Sequence, residues 1–277
     1  MNQEELSSLS SDSYYQVWPK QTAGKIRVIE EPRQPLTEIH KQLQRLLSRI
    51  EHPEWVYSGI RGRSYVDNAK HHIGKKCVCS LDIESFYQSS RKEFVFRFFR
   101  FVMLQPEDVA WILADIATYQ DHLPTGSASS QILAFWAYRP MFEELRNIAL
   151  SEEGSLTVYV DDITISSAQP LSDQVVNKLN STIQGAGLRL NAGKTKRRGS
   201  EEWKVVTGGA ISPEGMLTVP NRLRKKIHNS VLALKRGSLD EAGLISLRGL
   251  LAAAWQLDPS FHSSLNDYVK YLSQSIK

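Results

Sequence analysis

The chain has only two cysteines in 277 residues, Cys77 and Cys79, and they stand two positions apart. Such a pair supplies neither a disulfide framework nor the ligand set of a structural zinc site. No apolar run approaches the roughly 18 residues that a membrane span needs. The polar, acidic residues 1–5 do not resemble a secretory signal. We therefore expect a soluble protein of the cytoplasm.

Low complexity and extreme composition are also missing, since 41% of the residues are hydrophobic and 23% are charged. This composition is typical of a globular protein and excludes disordered and fibrous classes. The net charge of +4 is unevenly spread. Residues 1–186 carry 19 Lys and Arg against 23 Asp and Glu, whereas residues 187–277 carry 15 against 7. The second segment therefore suggests contact with a polyanion, although a solvated basic face is the plainer alternative.

The spacing of apolar residues predicts an α+β fold in which helices pack on a central antiparallel sheet. Predicted helices cover residues 35–50, 92–103, 106–118, 127–150, 172–183, 221–234, 239–255 and 261–276. Predicted strands cover residues 76–82, 156–160, 163–165, 187–190, 203–207 and 209–211. Residues 52–76 show neither the helical nor the strand periodicity of apolar residues, so no helix or strand is predicted there.

Three carboxylates stand at the ends of predicted strands. Asp82 ends one strand, and Asp161 and Asp162 separate two β-branched runs, which is the pattern of a hairpin with an acidic tip. Carboxylates gathered at such a place repel one another and lose hydration, and a divalent cation removes that cost. Their oxygen atoms suit Mg²⁺ or Mn²⁺, and two such ions would serve phosphoryl transfer. The alternative is a polar turn, with Asp82 acting as a helix N-cap.

The order of four motifs resembles the reverse transcriptase family. Residues 159–162 (Tyr-Val-Asp-Asp) match its Tyr-X-Asp-Asp box, and residues 81–87 match its first carboxylate motif, an Asp followed by two aromatic residues. Residues 123–130 resemble its Leu-Pro-Gln-Gly-Ala-Pro-Thr-Ser segment, although Thr125 stands where the family usually has Gln. Residues 187–195 resemble its Gly-Leu-X-X-Asn-X-X-Lys-Thr motif.

Two further matches are similar to signatures of bacterial retron-type reverse transcriptases. Residues 68–72 fit Asn-Ala-X-X-His, and residues 206–208 are Val-Thr-Gly. Asn68 and His72 either hydrogen-bond their own loop or contact RNA, because companion zinc ligands are missing at metal spacing. Val206, Thr207 and Gly208 either end a strand in a glycine turn or help to recognise a cognate RNA.

The resemblance implies a role for each residue that matches a family motif. Asp82, Asp161 and the backbone carbonyl of Ile83 would bind two Mg²⁺ or Mn²⁺ ions, and Asp162 would complete the charge of the catalytic site. Tyr87 would exclude a ribose 2′-hydroxyl, or else be an ordinary core aromatic. The other implied nucleotide contacts are Lys25, Arg27, Gly126 and Lys194, the last facing the leaving pyrophosphate unless it is simply a solvated lysine. The remaining implied RNA contacts are Arg61, Arg63, Arg222, Arg224, Lys225 and Lys226.

The same resemblance implies a right-hand polymerase fold. Its fingers would be residues 1–76 and 91–125, its antiparallel-sheet palm residues 77–90 and 126–220, and its helical thumb residues 221–277. The implied activity is RNA-directed DNA synthesis from dNTPs on a cognate noncoding RNA, which is both template and primer, with priming from a 2′-hydroxyl.

The implied setting is anti-phage defence, with an accessory effector protein and with host RNase H removing the RNA. Two alternatives remain open. One is another defence-associated or group II intron-like reverse transcriptase without branched priming. The other is a catalytically inactive protein that binds structured RNA.

Overall fold

The computed structural model describes residues 12–22 and 25–262. The chain divides into two compact units. Unit 1 contains the described residues up to Gly62, together with Ser80–Ile165 and Leu171–Lys196. Unit 2 contains Arg63–Cys79, Ser166–Pro170 and the described residues from Arg197 onward. No helix within the described ranges is long and apolar enough to cross a bilayer.

The described chain alternates short strands with helices of moderate length. The strands are β1 (Tyr15–Thr22), β2 (Lys25–Pro32), β3 (Cys77–Asp82), β4 (Ser155–Tyr159), β5 (Asp162–Ser167), β6 (Lys196–Arg198), β7 (Lys204–Val206), β8 (Gly209–Ile211) and β9 (Leu217–Thr218). The helices are α1 (Leu36–Leu47), α2 (Tyr65–His71), α3 (Phe86–Ser89), α4 (Lys92–Arg97), α5 (Glu107–Ala117), α6 (Ser130–Ala137), α7 (Arg139–Ser151), α8 (Asp173–Gly185), α9 (Asn221–Lys235) and α10 (Glu241–Leu257).

The strands form three sheets. β1 and β2 make an antiparallel hairpin in which Tyr15 pairs with Pro32. A second sheet has the order β4-β5-β3-β6, and a third has the order β7-β8-β9. The predicted α+β mixture of helices and antiparallel strands is therefore confirmed, as are the strand that ends at Asp82 and the acidic hairpin.

Helix α6 lies in the centre of unit 1, because every one of its residues after Gln131 is buried. The prediction of one helix over residues 127–150 is wrong, since the chain breaks at Tyr138 between α6 and α7. Pro140 explains the break. Proline has no backbone N–H, and in a continuous helix its ring would clash with the carbonyl of Trp136.

Two other predicted elements also differ from the structure. The predicted strand at residues 187–190 is wrong, because only Leu190 forms a bridge there, to Ile83. The predicted helix over 92–103 is α-helical only to Arg97 and continues as a π-helix over Phe98–Val102. The predicted helix over 261–276 lies almost wholly outside the described residues, whose last element is a short 3₁₀ helix, Pro259–His262.

Unit 2 is built on the helices α9 and α10. Leu247 and Leu251 of α10 pack with Ile227 of α9 and with Val66 of α2 in one buried cluster. The sequence-based reading missed α2, which is short, although a capping box is present at its start. The Ser64 hydroxyl accepts the backbone N–H of Asp67, whose carboxylate accepts the N–H of Ser64.

Candidate active site

The acidic hairpin of unit 1 turns at Val160 and Asp161, between β4 and β5. Val160 has φ = 60°, a left-handed conformation that β-branched residues avoid and that costs about 1–3 kcal/mol. Its N–H donates to the Ser58 hydroxyl over 3.0 Å. Trp55 and Tyr57 exchange backbone hydrogen bonds with Val158 of β4. The segment before Gly59 therefore holds the turn in its strained shape and fixes the direction of the two carboxylates.

Asp82 meets this hairpin through backbone contacts. The N–H of Ile83, the next residue, donates to the Asp161 carbonyl over 3.1 Å. The Asp82 carbonyl accepts the N–H of Asn191 over 2.8 Å, and Asp82 itself is only 5% exposed. The end of β3 is thus joined to the hairpin tip on one side and to the segment preceding Lys194 on the other.

The three carboxylates lie within electrostatic reach of one another. Burial and the charge of Asp82 both raise the pKa of Asp161. Burial, followed by the charges of Asp161 and Asp82, raises the pKa of Asp162 to about 6. The structure therefore brings together the carboxylates that the sequence predicts, and their mutual repulsion opposes full ionisation.

Lys194 comes from a turn in which its N–H donates to the Asn191 carbonyl. Its ammonium nitrogen lies 2.5 Å from Asp82 Oδ1, and this hydrogen bond raises the pKa of Lys194. Because the lysine side chain is 46% exposed, water screens this ion pair and limits its contribution to stability. The predicted lysine therefore reaches the carboxylates from an accessible position.

The carboxylate oxygens of Asp82, Asp161 and Asp162 are of the kind that binds a divalent cation, although their positions do not form a coordination shell. Among residues 12–22 and 25–262, no three His, Cys, Asp or Glu side chains are grouped as metal ligands, and Asp82 binds Lys194. Hard carboxylate oxygens that are partly buried beside like charges are nevertheless the groups that a bound Mg²⁺ or Mn²⁺ would neutralise. The backbone carbonyl of Ile83 follows Asp82 directly and is the remaining predicted ligand.

Tyr87 lies on the short helix α3, five residues after Asp82 at the end of β3. Ser85, with φ = 47°, turns the chain between them. The Tyr87 ring stacks on buried Phe86 at a centroid distance of 6.1 Å. Burial, and then the charge of Asp161, raises the pKa of Tyr87 to about 12. The phenol is therefore neutral at physiological pH and lies within electrostatic reach of Asp161.

The segment around Gly126 docks on strand β2. The N–H of Gly126 donates to the Glu30 carbonyl, and a Cβ at this glycine would lie 2.7 Å from that oxygen. The Thr125 hydroxyl donates to the Val28 carbonyl and accepts the N–H of Glu30. Thr125, which replaces the family's usual Gln, is therefore used to attach the loop to the strand that contains Arg27.

The side chain of Arg27, on β2, is exposed, and its charge lowers the pKa of Asp161. This places the guanidinium within electrostatic reach of the carboxylates. Lys25 begins the same strand. The nucleotide-binding roles of Lys25, Arg27 and Gly126 stay predictions.

Sequence reasoning missed Glu30, which is buried and bridges β2 to this loop. Its carboxylate accepts the backbone N–H of Thr125 over 3.2 Å and lies 3.0 Å from His122 Nε2. The hydrogen bond to Glu30 raises the pKa of His122, outweighing burial. The sequence around Glu30 does not indicate that its carboxylate binds this loop, because Thr125 and His122 lie more than 90 residues further along the chain.

We expect Glu30→Gln to destabilise the protein most at low pH. A histidine whose folded pKa is raised contributes stability that is complete below its unfolded pKa and is lost as pH rises through the folded value. Glutamine keeps an acceptor for Thr125 but removes the charge. The free energy of unfolding should therefore fall by about 2 kcal/mol near pH 6 and by clearly less near pH 9.

Urea unfolding of the variant and the wild type at both pH values measures this difference. Glu31→Gln is the matched control, because Glu31 is the exposed neighbour on the same strand and should change stability little. An equal loss at both pH values would show that the charge on His122 is not involved.

The two retron signatures meet in unit 2. Asn68, fully buried, donates to the Thr207 hydroxyl over 3.3 Å, and that hydroxyl donates to the Tyr65 carbonyl. Thr207 and Gly208 both have positive φ and close a two-residue turn between β7 and β8, in which Val206 pairs with Gly209. These two hydrogen bonds join helix α2 to the turn, and they require an amide side chain at Asn68 and a hydroxyl at Thr207.

His72 is also fully buried, and its Nδ1 lies 2.8 Å from the Ser166 hydroxyl. Burial lowers its pKa to about 3, so the imidazole is neutral. The alternative in which the signature residues bond within the chain is therefore supported. The amide oxygen of Asn68 is buried and has no hydrogen-bond partner among residues 12–22 and 25–262. Contact of these residues with RNA stays a prediction.

The remaining predicted RNA contacts are basic residues that differ in accessibility. Arg61 is exposed, and Arg63 is half-buried. Arg222, Lys225 and Lys226 are exposed on α9. Arg224 on the same helix is exposed as well, but its guanidinium donates to the Val219 carbonyl and lies over the Phe261 ring at 5.0 Å.

Solved structures with the same fold identify the class of protein. Apo telomerase from Candida tropicalis, truncated at its C-terminal domain, has a TM-score of 0.56 at 11% identity and matches 76% of this chain and 56% of that one. Telomerase from Candida albicans, in complex with a fragment of telomeric RNA, has a TM-score of 0.54 at 10% identity, over 92% of this chain and 55% of that one. The chain therefore has a right-hand polymerase fold.

Sequence comparison then gives the family. The family model described as Reverse transcriptase (RNA-dependent DNA polymerase) matches residues 18–208, and the chain belongs to this family. It is 31% identical over 180 residues to the Retron Se72 reverse transcriptase of Salmonella heidelberg, covering 62% of this chain and 46% of that protein. It is 26% identical over 274 residues to the Retron Ec86 reverse transcriptase of Escherichia coli, covering 96% and 83%.

These relatives support the retron type that the two signatures predict. The matched segment nevertheless spans less than half the length of the Salmonella relative.

Proposed function

We propose that this chain is an RNA-directed DNA polymerase of the retron type. The observation that carries the proposal is the convergence of Asp82, Asp161 and Asp162, with Lys194 bound to the first of them. The family match and the retron relatives support the same activity. An inactive RNA-binding descendant would have no need to keep three mutually repelling carboxylates at one place.

The proposed reaction is the attack of a primer hydroxyl on the α-phosphorus of a dNTP. A new bond forms between that oxygen and the phosphorus, the bond to the bridging oxygen breaks, and pyrophosphate leaves. Divalent cations held by Asp82, Ile83 and Asp161 would supply positive charge to the reacting phosphate. Asp162 would complete the negative charge of the site, and Lys194 would neutralise charge on the departing pyrophosphate. Base pairing reads the template, so the protein supplies position and charge.

Positioning would come from the elements around these carboxylates. The β2 strand, with Lys25 and Arg27, would contact the triphosphate, and the docked loop at Gly126 would support the nucleotide. Tyr87 would limit space beside the sugar. We assign residues 1–76 and 91–125 to the fingers, 77–90 and 126–220 to the palm, and the basic helix α9 to a thumb that begins at Asn221.

The proposed template is a cognate structured noncoding RNA, because the relatives are retron enzymes and the C-terminal third is basic. Basic side chains on α9 suit a sequence-independent grip on a duplex backbone. We further propose priming from a 2′-hydroxyl, an accessory effector protein, host RNase H as the enzyme that removes RNA, and a role in anti-phage defence. These last four proposals rest on the retron relatives alone.

Primer extension by the purified protein on an RNA template, with dNTPs and Mg²⁺ or Mn²⁺, tests the activity. We expect DNA synthesis that requires the metal, and an RNA that co-purifies and has one dominant sequence. Shortening of the product by debranching enzyme would support 2′-hydroxyl priming, whereas resistance would favour a reverse transcriptase without branched priming. A protein that binds the RNA and makes no DNA under either metal would overturn the proposed activity.

A further inference from the structure

A cavity of about 260 Å³ in unit 1 lies behind the acidic hairpin. Its walls come from the last turns of α1, from the segment between His52 and Gly59, and from the first turns of α6. None of the residues assigned above to metal, dNTP or RNA binding lines it. A cavity of this size has room for one nucleoside-sized group, and its volume lies just below the roughly 300–1,000 Å³ that is usual for ligand sites.

The cavity has an apolar floor with an aromatic side. Val56, Ile132 and Phe135 are buried and line the floor. The His52 ring lies 5.8 Å from the Phe135 ring, tilted by 32°. An aromatic ring in the wall of a cavity can stack on a nucleobase, and such stacking tolerates any base.

The rim is polar and basic. Arg45 lines the cavity, is exposed and has no carboxylate partner among the residues that the structure describes. The amides of Gln44 and Gln131 face the same space from α1 and α6. The lining contains no aspartate or glutamate. A guanidinium with free donors is the group that binds phosphate in a fork geometry.

The cavity wall is continuous with the support of the catalytic turn. Ser58, which lines the cavity, accepts the N–H of the strained Val160. The adjacent Gly59 has φ = 70° and closely approaches the Gln131 side chain. A group bound in the cavity would therefore contact the same segment that holds the hairpin in shape.

We propose that this cavity binds a nucleoside phosphate, separate from the dNTP at the carboxylates. The base stacks against His52 and Phe135, and the phosphate binds Arg45, with the glutamine amides completing its hydrogen bonds. The chemistry is shared by a free nucleotide and by one residue of a single-stranded RNA. The site goes beyond the proposed polymerase activity and does not require it.

The test uses binding without metal or dNTP, so that its result is independent of DNA synthesis. The probes are adenosine 5′-monophosphate, followed by calorimetry, and a fluorescent short oligoadenylate, followed by anisotropy. Arg45→Gln should weaken binding about tenfold or more, since it removes a charged contact. Arg49→Gln is the matched control, because Arg49 is an exposed arginine one turn further on that does not line the cavity.

The outcomes separate the two sources of the ligand. If both probes bind and Arg45→Gln weakens both, a free nucleotide can fill the site. If only the oligoadenylate binds, and Arg45→Gln weakens it more than Arg49→Gln does, the occupant is a residue of an RNA strand. If neither probe binds the wild type, or if the two variants lose affinity equally, the proposal is wrong.

Discussion

Asp161→Asn is expected to reduce DNA synthesis by at least about a thousandfold while leaving RNA binding intact. The side chain keeps its size, but the site loses one of the negative charges that a divalent cation would neutralise. Asparagine also ends the repulsion that raises the pKa of Asp162, so the fold should not be weakened. Primer extension measures the loss, and the binding of a labelled RNA shows whether the protein still recognises its partner.

Asp162→Asn should behave in the same way, since Asp162 directly follows Asp161 and lies within electrostatic reach of Asp82. Asp108→Asn is the matched control. Asp108 is an exposed aspartate in the first turn of α5, so its loss should leave synthesis within about twofold of the wild type. Polymerisation retained by the Asp161 variant would remove that residue from the catalytic site.

The acidic hairpin could be predicted because its signal is local. Two β-branched runs on either side of Asp161 and Asp162 predict strands joined by a tight turn, and the structure confirms them as β4 and β5. The left-handed conformation of Val160 could not be predicted in this way. It depends on Ser58, about 100 residues earlier in the chain, whose hydroxyl accepts the valine N–H.

Elements were missed or misplaced where local pattern and tertiary packing disagree. The break between α6 and α7 lies in a continuous apolar run, and only Pro140 marks it. Helix α2 has seven residues, which is too short for a clear periodicity, and its capping box at Ser64 and Asp67 is the one local signal. The segment before Lys194 has strand-like residues, but it pairs only through Leu190 with Ile83.

The two retron signatures show what a motif match leaves undetermined. The sequence places Asn68 and Thr207 in the expected order, 139 residues apart, but it cannot show that their side chains are hydrogen-bonded. The burial of Asn68 follows from the packing of α2 on the β7-β8 turn, in which Ala69 joins a cluster with Val206. A residue that matches a recognition signature can therefore act by shaping a surface, and substituting it tests the fold as well as RNA contact.

Tyr87→Ala is expected to raise the incorporation of rNTPs relative to dNTPs by up to about a hundredfold. The ring is held in place by its stacking on Phe86, and the charge of Asp161 acts on its hydroxyl. A side chain fixed beside the three carboxylates would exclude a 2′-hydroxyl by its bulk if dNTPs bind there, as we propose. The measurement is the ratio of kcat/KM for one rNTP and its matching dNTP in single-nucleotide extension.

Tyr87→Phe separates bulk from hydrogen bonding, because phenylalanine keeps the ring and removes the hydroxyl. We expect this variant to select dNTPs as the wild type does. Alanine also removes the ring contact with Phe86 and lowers the stability of this half-buried position by about 1–3 kcal/mol, so overall activity is a poor readout. The ratio of kcat/KM for the rNTP and the dNTP does not depend on the fraction of folded enzyme, because both values are measured on the same preparation. A Tyr87→Ala enzyme whose ratio equals that of the wild type would make Tyr87 a core aromatic, which is the alternative that its sequence position leaves open.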